Sequence, residues 1–193
     1  MIKTRLIATS AVAFALMASA AAANEFEGTL RSLAEKQLAA MMADPAIVAA
    51  VRAQNEAHKG LTAAQIDAMD QTWRAEVGSG SSPTIDKVKN SPVSDMLREM
   101  VAKAEGLYTE IILMDDHGLN VAVSETTSDY WQGDEEKWQL TYAVGAGAVH
   151  IGEVELDEST QIYQSQISIP VVDPANGELI GAATFGVNVE ALE

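Results

Sequence analysis

The apolar residues of this chain change their spacing at Leu107, and that change constrains the fold more than any other feature. Before it they recur at helical intervals. Leu30, Leu33, Ala34, Leu38 and Met41 form one stripe between Glu25 and Met42, and Ile47, Val48 and Val51 continue it after Asp44-Pro45, a cap-and-proline signal. Gly60 ends that stretch. Thr62 and Gln65 are spaced as a capping box for a helix through Ile66, Met69 and Trp73 to about Val77. Gly78 to Pro83 reads as a loop. Ser91-Pro92 opens a further helix carrying Val93, Met96, Leu97, Met100 and Val101, closed by Glu105-Gly106. After Leu107 the runs shorten and become β-branched. Leu107–Met114 and Leu119–Val123 flank the turn Asp115-Asp116-His117-Gly118 and read as a hairpin. Gly133 to about Tyr142 has helical residues. Strands are expected near Val149–Leu156, over Gln161–Val172 and over Leu179–Val189, the last two joined by the turn Asp173-Pro174-Ala175-Asn176-Gly177. Two strands, a crossing segment and three more strands predict an α+β fold with an antiparallel sheet, its long N-terminal helices packed on one face.

The first residues have a different character. Lys3 and Arg5 precede an uncharged apolar run, Leu6 to Met17, and small residues follow through Ala23. This is the three-part pattern of a cleavable secretory leader. The run is short for a bilayer span, which takes about 20 residues. Cleavage after Ala23 would leave 170 of the 193 residues and place them in the periplasm. The expected organisation is a leader at 1–23, a helical region at 24–106 and a sheet-bearing core at 107–193.

Charge narrows the partners. Lys plus Arg number 12 against 28 acids, a formal charge of −16, which becomes −18 without Lys3 and Arg5. Nucleic-acid binding needs cations to displace phosphate counterions, so it is excluded as an expectation. No cysteine is present, so disulfides and thiolate metal sites are ruled out.

The segment Ile111-Ile112-Leu113-Met114-Asp115-Asp116-His117-Gly118-Leu119-Asn120-Val121-Ala122 resembles the first hairpin of Cache domains, the extracellular PAS-like sensors also called PDC domains. Ser128 to Trp138 resembles a segment that one subgroup carries after that hairpin. Ile169-Pro170-Val171-Val172-Asp173 and Gly177 to Ala182 resemble the last hairpin. The resemblance covers Leu107 to Leu192, with a looser fit over the preceding helices of a single-Cache domain. It implies a five-stranded antiparallel sheet with a pocket on the face away from the long helix. It also implies binding of a small metabolite such as an amino acid, amine or carboxylate. Family members typically sit between membrane helices. This chain reaches Glu193 directly after its last strand, so a separate membrane receptor or kinase partner is expected to carry any signal.

Asp129, Tyr130, Trp131, Asp134 and Trp138 are the first candidates for that pocket. Aromatic walls bury an organic ligand and a few polar groups orient it. Asp129 and Asp134 suit an ammonium or guanidinium, and a tryptophan face adds cation–π attraction. On a helix from Gly133, Asp134 and Trp138 would share a face. The alternative is that Trp131 and Trp138 are core and the acids a solvated rim. Thr184 and Asn188 lie on the small, polar side of the last strand, opposite Leu179, Phe185, Val187 and Val189. Either Tyr163 and Ser165 or Gln164 and Gln166 face the pocket.

His58, His117 and His150 lie in separate elements without ligand spacing, so no metal site is expected. Glu153, Glu155, Asp157 and Glu158 alternate along an edge-like strand, which protects against edge pairing. None of the elbow, P-loop or H-E-x-x-H motifs occurs, so neither catalysis nor a cofactor is expected. The rival to a ligand sensor is an interaction module without a working pocket, dimerising through the N-terminal stripe at Met41 and Met42.

Overall fold

Each long helix begins where its sequence supplies a cap. The computed structural model describes residues 24–157 and 161–192. The leader-like residues 1–23, Glu158 of the acidic strand and Glu193 lie outside the described residues. Asp44 accepts from Ala46 N at 2.8 Å and Pro45 opens α3 (Pro45–Ala57). The capping box forms at the start of α4 (Ala63–Glu76), with Gln65 accepting from Thr62 N at 2.9 Å and Thr62 from Gln65 N at 3.4 Å. A helix absent from the sequence reading, α5 (Pro83–Lys89), follows, and Ser91 caps α6 (Pro92–Lys103).

The first helical stretch is α1 (Glu27–Leu33), a π-helical turn (Ala34–Leu38) and α2 (Ala39–Met42). A π turn advances fewer degrees per residue than an α turn, so it rotates the stripe that follows. Met42, not Met41, therefore turns fully inward. The stripe offered above as a dimer contact is covered by the chain's own sheet.

The sheet comprises β1 (Tyr108–Met114), β2 (Asn120–Val123), β3 (His150–Ile151), β4 (Glu155–Asp157), β5 (Ile162–Val172) and β6 (Leu179–Asn188). It is antiparallel throughout, in the order β2-β1-β6-β5-β3, and β4 also pairs with β5. His150 faces Ser168 and Glu155 faces Gln164, so five steps on one side answer four on the other. β3 and β4 are thus one edge strand interrupted by a bulge. The single strand read over Val149–Leu156 is broken there, and the sheet has five strand positions, as the Cache resemblance implies.

Its two faces carry separate cores. Ile111, Leu113, Ile167, Ile169, Phe185 and Val187 pack under α1, α2, α3 and α6. Ile112, Met114 and Ala182 point the other way, towards Ile66 and Trp73 of α4 and Ile85 and Val88 of α5. α4 and α5 therefore reach past the β2 edge to the second face, while α1, α2, α3 and α6 keep to the first. No helix among the described residues is long and apolar enough to cross a membrane.

Candidate functional site

A polar cavity of about 660 Å³ opens on the sheet face away from α1–α3. Strand alternation builds its floor. Ile167 and Ile169 of β5 face the helices, so Gln164, Gln166 and Ser168 face the opposite side. Gln164 and Gln166 line the cavity, which settles the face left open by the sequence. Beside them on β1, Glu110 accepts from Gln166 Nε2 at 3.1 Å, and Thr109 Oγ1 donates to Gln164 Oε1 at 2.5 Å. Burial pushes the Glu110 carboxyl up, while nearby Lys137 and the Gln166 bond pull it back.

The walls come from two segments. The interrupted edge strand supplies His150, Glu153 and Glu155. The segment before and into α7 (Glu136–Gln139) supplies Asp134, Glu135, Glu136 and Lys137. Lys137 Nζ lies 3.0 Å from Glu135 Oε2 and 3.1 Å from Gln132 Oε1. His150 Nε2 lies 3.8 Å from Glu136 Oε2. Desolvation lowers the His150 pKa, and Glu136 only partly offsets it, so the imidazole is neutral at pH 7. Five carboxylates thus line a cavity with one lysine and one histidine.

Among the residues singled out from sequence, Asp134 lies on this cavity's rim, exposed. The expected helix from Gly133 starts only at Glu136, because Glu135 is extended (φ −102°, ψ 155°). Asp134 and Trp138 therefore do not form an i, i+4 pair. Trp138 stacks on Tyr142 at 5.1 Å and its Nε1 donates to Asp115 O at 3.3 Å. Trp131 Nε1 donates to His117 O at 2.8 Å. Gly118, at φ +81°, is needed beneath them, since a Cβ there would collide with the Gly133 backbone. Tyr130 stacks on Trp73 at 5.2 Å in the second core. Asp129 accepts from Gln132 Nε2 and lies 3.5 Å from Arg74. Thr184 is buried on the cavity face, bonded to Ser168 at 2.9 Å. Asn188 caps the final turn, accepting from Glu190 N at 3.0 Å.

The sequence reading named none of Glu110, Glu135, Glu136 and Lys137 as binding residues, and it left Gln166 as one of two alternatives. It also missed Asp70, whose buried carboxylate accepts from Tyr130 N at 2.8 Å and Trp131 N at 3.0 Å and so anchors the aromatic segment to α4. The first hairpin turn is similarly tied down. Asp115 is fully buried and accepts from His117 N and Leu119 N at 2.9 Å each, and from Gln54 Nε2 at 2.9 Å, with His58 Nδ1 at 2.7 Å. Asp115, Asp116 and His117 bring ligand-type atoms within 4.8 Å of one another, yet Asp115 is engaged by those four bonds and His117 Nδ1 lies 2.5 Å from Asp116.

No protein-family model matches the sequence, and no curated protein matches it. Solved structures do match. The sensor domain of the histidine kinase DctB from V. cholerae is 14% identical with a TM-score of 0.46, over 86% of this chain and 58% of that one. The sensory domain of the Campylobacter jejuni chemoreceptor Tlp3, with isoleucine bound, is 14% identical with a TM-score of 0.39, over 86% of this chain and 62% of that one. The ligand-binding domain of Mlp24 with asparagine is 14% identical with a TM-score of 0.38, over 86% and 62%. The chain spans 58 to 62% of the length of these structures.

Proposed function

We propose that the chain is a Cache-type sensor domain that binds an ammonium-bearing metabolite, an amine or an amino acid, over the Gln164–Gln166 floor. The charge of the cavity carries this reading: five carboxylates surround it, against one lysine and one histidine. A carboxylate-lined, partly enclosed space favours a cation, whose bonds to ionised acceptors are about twice as strong as neutral ones. Lys137 and the neutral His150 on the same wall would receive the carboxylate of an amino acid. The cavity volume fits a small metabolite. Periplasmic location and delivery to a separate membrane receptor or kinase belong to the same proposal. They are supported by the leader-like residues 1–23 and by the family resemblance. A binding role without catalysis is proposed with them.

A thermal-shift screen of amines, amino acids and dicarboxylates tests it, because a ligand that binds the folded state raises Tm. Amines or amino acids should raise Tm and dicarboxylates should not. In a double variant, Asp134→Ala with Glu136→Gln, affinity for the hit should fall by about tenfold or more. A folded double variant with undiminished affinity would remove the site assignment. His150 adds a pH signature: as pH falls and the imidazole takes a proton, the cavity gains a positive charge and ammonium binding should weaken.

A further inference from the structure

A second cavity, of about 540 Å³, lies on the other side of the molecule's chemistry. It is enclosed by α3, α4, α5, the start of α6 and β2, and its walls are mainly apolar: Ala53, Ala57, Met69, Val88 and Val121. None of its lining residues is acidic, in a chain that carries 28 acids. Its charged or chargeable members are Lys87 and His58. Lys87 is exposed and has no ion pair among the described residues.

Two of its polar groups, His58 and Tyr130, lie near Asp115. Asp115 holds His58 through Nδ1 at 2.7 Å, which fixes that nitrogen as the donor and leaves Nε2 an acceptor without a partner among the described residues. Tyr130, only 5% exposed, also lines the cavity, and its hydroxyl makes no hydrogen bond among the described residues. Burial first, and then the charge of Asp115, push its phenol up, so it stays a donor. The cavity therefore offers an unused donor, an imidazole edge and an ammonium among mainly apolar walls.

We propose that this cavity is a second ligand site, distinct from the acidic one, for a small monocarboxylate with an apolar body. The body packs between Met69, Val88 and Val121. The carboxylate accepts from the Tyr130 hydroxyl and is attracted by Lys87. The Ala53 and Ala57 positions leave the room that the body occupies.

Phenylacetate is the probe, with 2-phenylethanol and phenethylamine as neutral and cationic counterparts of the same shape. Thermal shift and titration of the purified protein should show phenylacetate binding, the alcohol binding more weakly and the amine not binding. Tyr130→Phe, which keeps the stack on Trp73, should weaken phenylacetate by about five- to tenfold, and Lys87→Met by about two- to fivefold. Ala53→Phe, at an exposed α3 position, should fill the cavity and abolish binding. Ala57→Leu serves the same end should that variant misfold. No response of the wild-type protein to phenylacetate, an equal response to phenethylamine, or full binding retained by a folded cavity-filling variant would each overturn the assignment.

Discussion

Single residues decide how this chain holds charge inside. Glu110 sits beside the cavity floor, bonded to Gln166, with its pKa raised above the usual glutamate value, chiefly by burial. Between the ordinary value of about 4.3 and the raised one, the folded state binds the proton better, so this group removes stability as pH climbs through that window. Glu110→Gln keeps a partner for Gln166 without the charge. It should raise Tm at pH 7 and have less effect at pH 4, read by melts at the two pH values. If Glu110 is also a ligand acceptor, the same variant will weaken amine binding. Asp70 is the opposite case, a buried acceptor that two backbone amides need. Asp70→Ala should cost about 2 kcal/mol in urea unfolding, because both amides of the aromatic segment lose their partner. Neither residue was legible beforehand. Glu110 reads as an interruption in an apolar strand, and its partners come from β5 and α7, elements whose register the sequence does not encode. Asp70 looked like any solvated helix position, since its role depends on a loop 60 residues away.

Elements were legible wherever a local signal marked both ends. The capping box at Thr62 and the Asp115–Gly118 turn fixed α4 and the first hairpin because their hydrogen bonds lie within a few residues. Three features escaped. The seven residues of α5 contain only Ile85 and Val88 as buried apolar positions, too few for a periodic stripe. The gap between β3 and β4 depends on pairing with β5, and α7 is shortened by an extended Glu135. α3 carries its own lesson. Its apolar stripe was visible, but its polar face was not read. Arg52 reaches Asp173 at 2.5 Å and Glu178 at 2.7 Å, while Asn55 donates to Ile180 O at 2.7 Å and accepts from Asp116 N at 3.1 Å. Asn55→Ala should therefore raise amide hydrogen exchange by about tenfold in both hairpin turns together, measured by mass spectrometry, whereas a purely local contact would loosen one. Asp173 and Glu178 have lowered pKa values, Asp173 first through the Ala175 amide and Glu178 first through Arg52. Their contribution is present above the ordinary carboxylate range and is lost as pH falls through the lowered values. Arg52→Ala should accordingly remove part of the acid dependence of unfolding.

At the scale of the molecule, two cores and the two cavities described above share one sheet. Phe185 sits at the centre of the first core, fully buried and 5.5 Å from the Tyr108 ring. Phe185→Ala should cost about 3–5 kcal/mol, a large share of the stability of a domain this size. The net negative charge gives the whole surface a field that attracts cations. Association of an amine with the acidic cavity should slow as salt rises, by stopped-flow, while phenylacetate association with the second cavity should not slow. The sequence showed the charge and the α+β order. It did not show that the acids gather at one cavity and avoid the other, because that sorting is made by strand alternation and by helices crossing the β2 edge.

α3 ties these scales together. The two turns it grips are about 60 residues apart along the chain, yet one helix is bonded to both. It behaves as a tie-bar: a displacement of either turn is carried to the other along a stiff rod, without passing through the sheet. His58 and Gln54 on that rod also line the second cavity, so a molecule lodged there would press on the same beam that braces both hairpins.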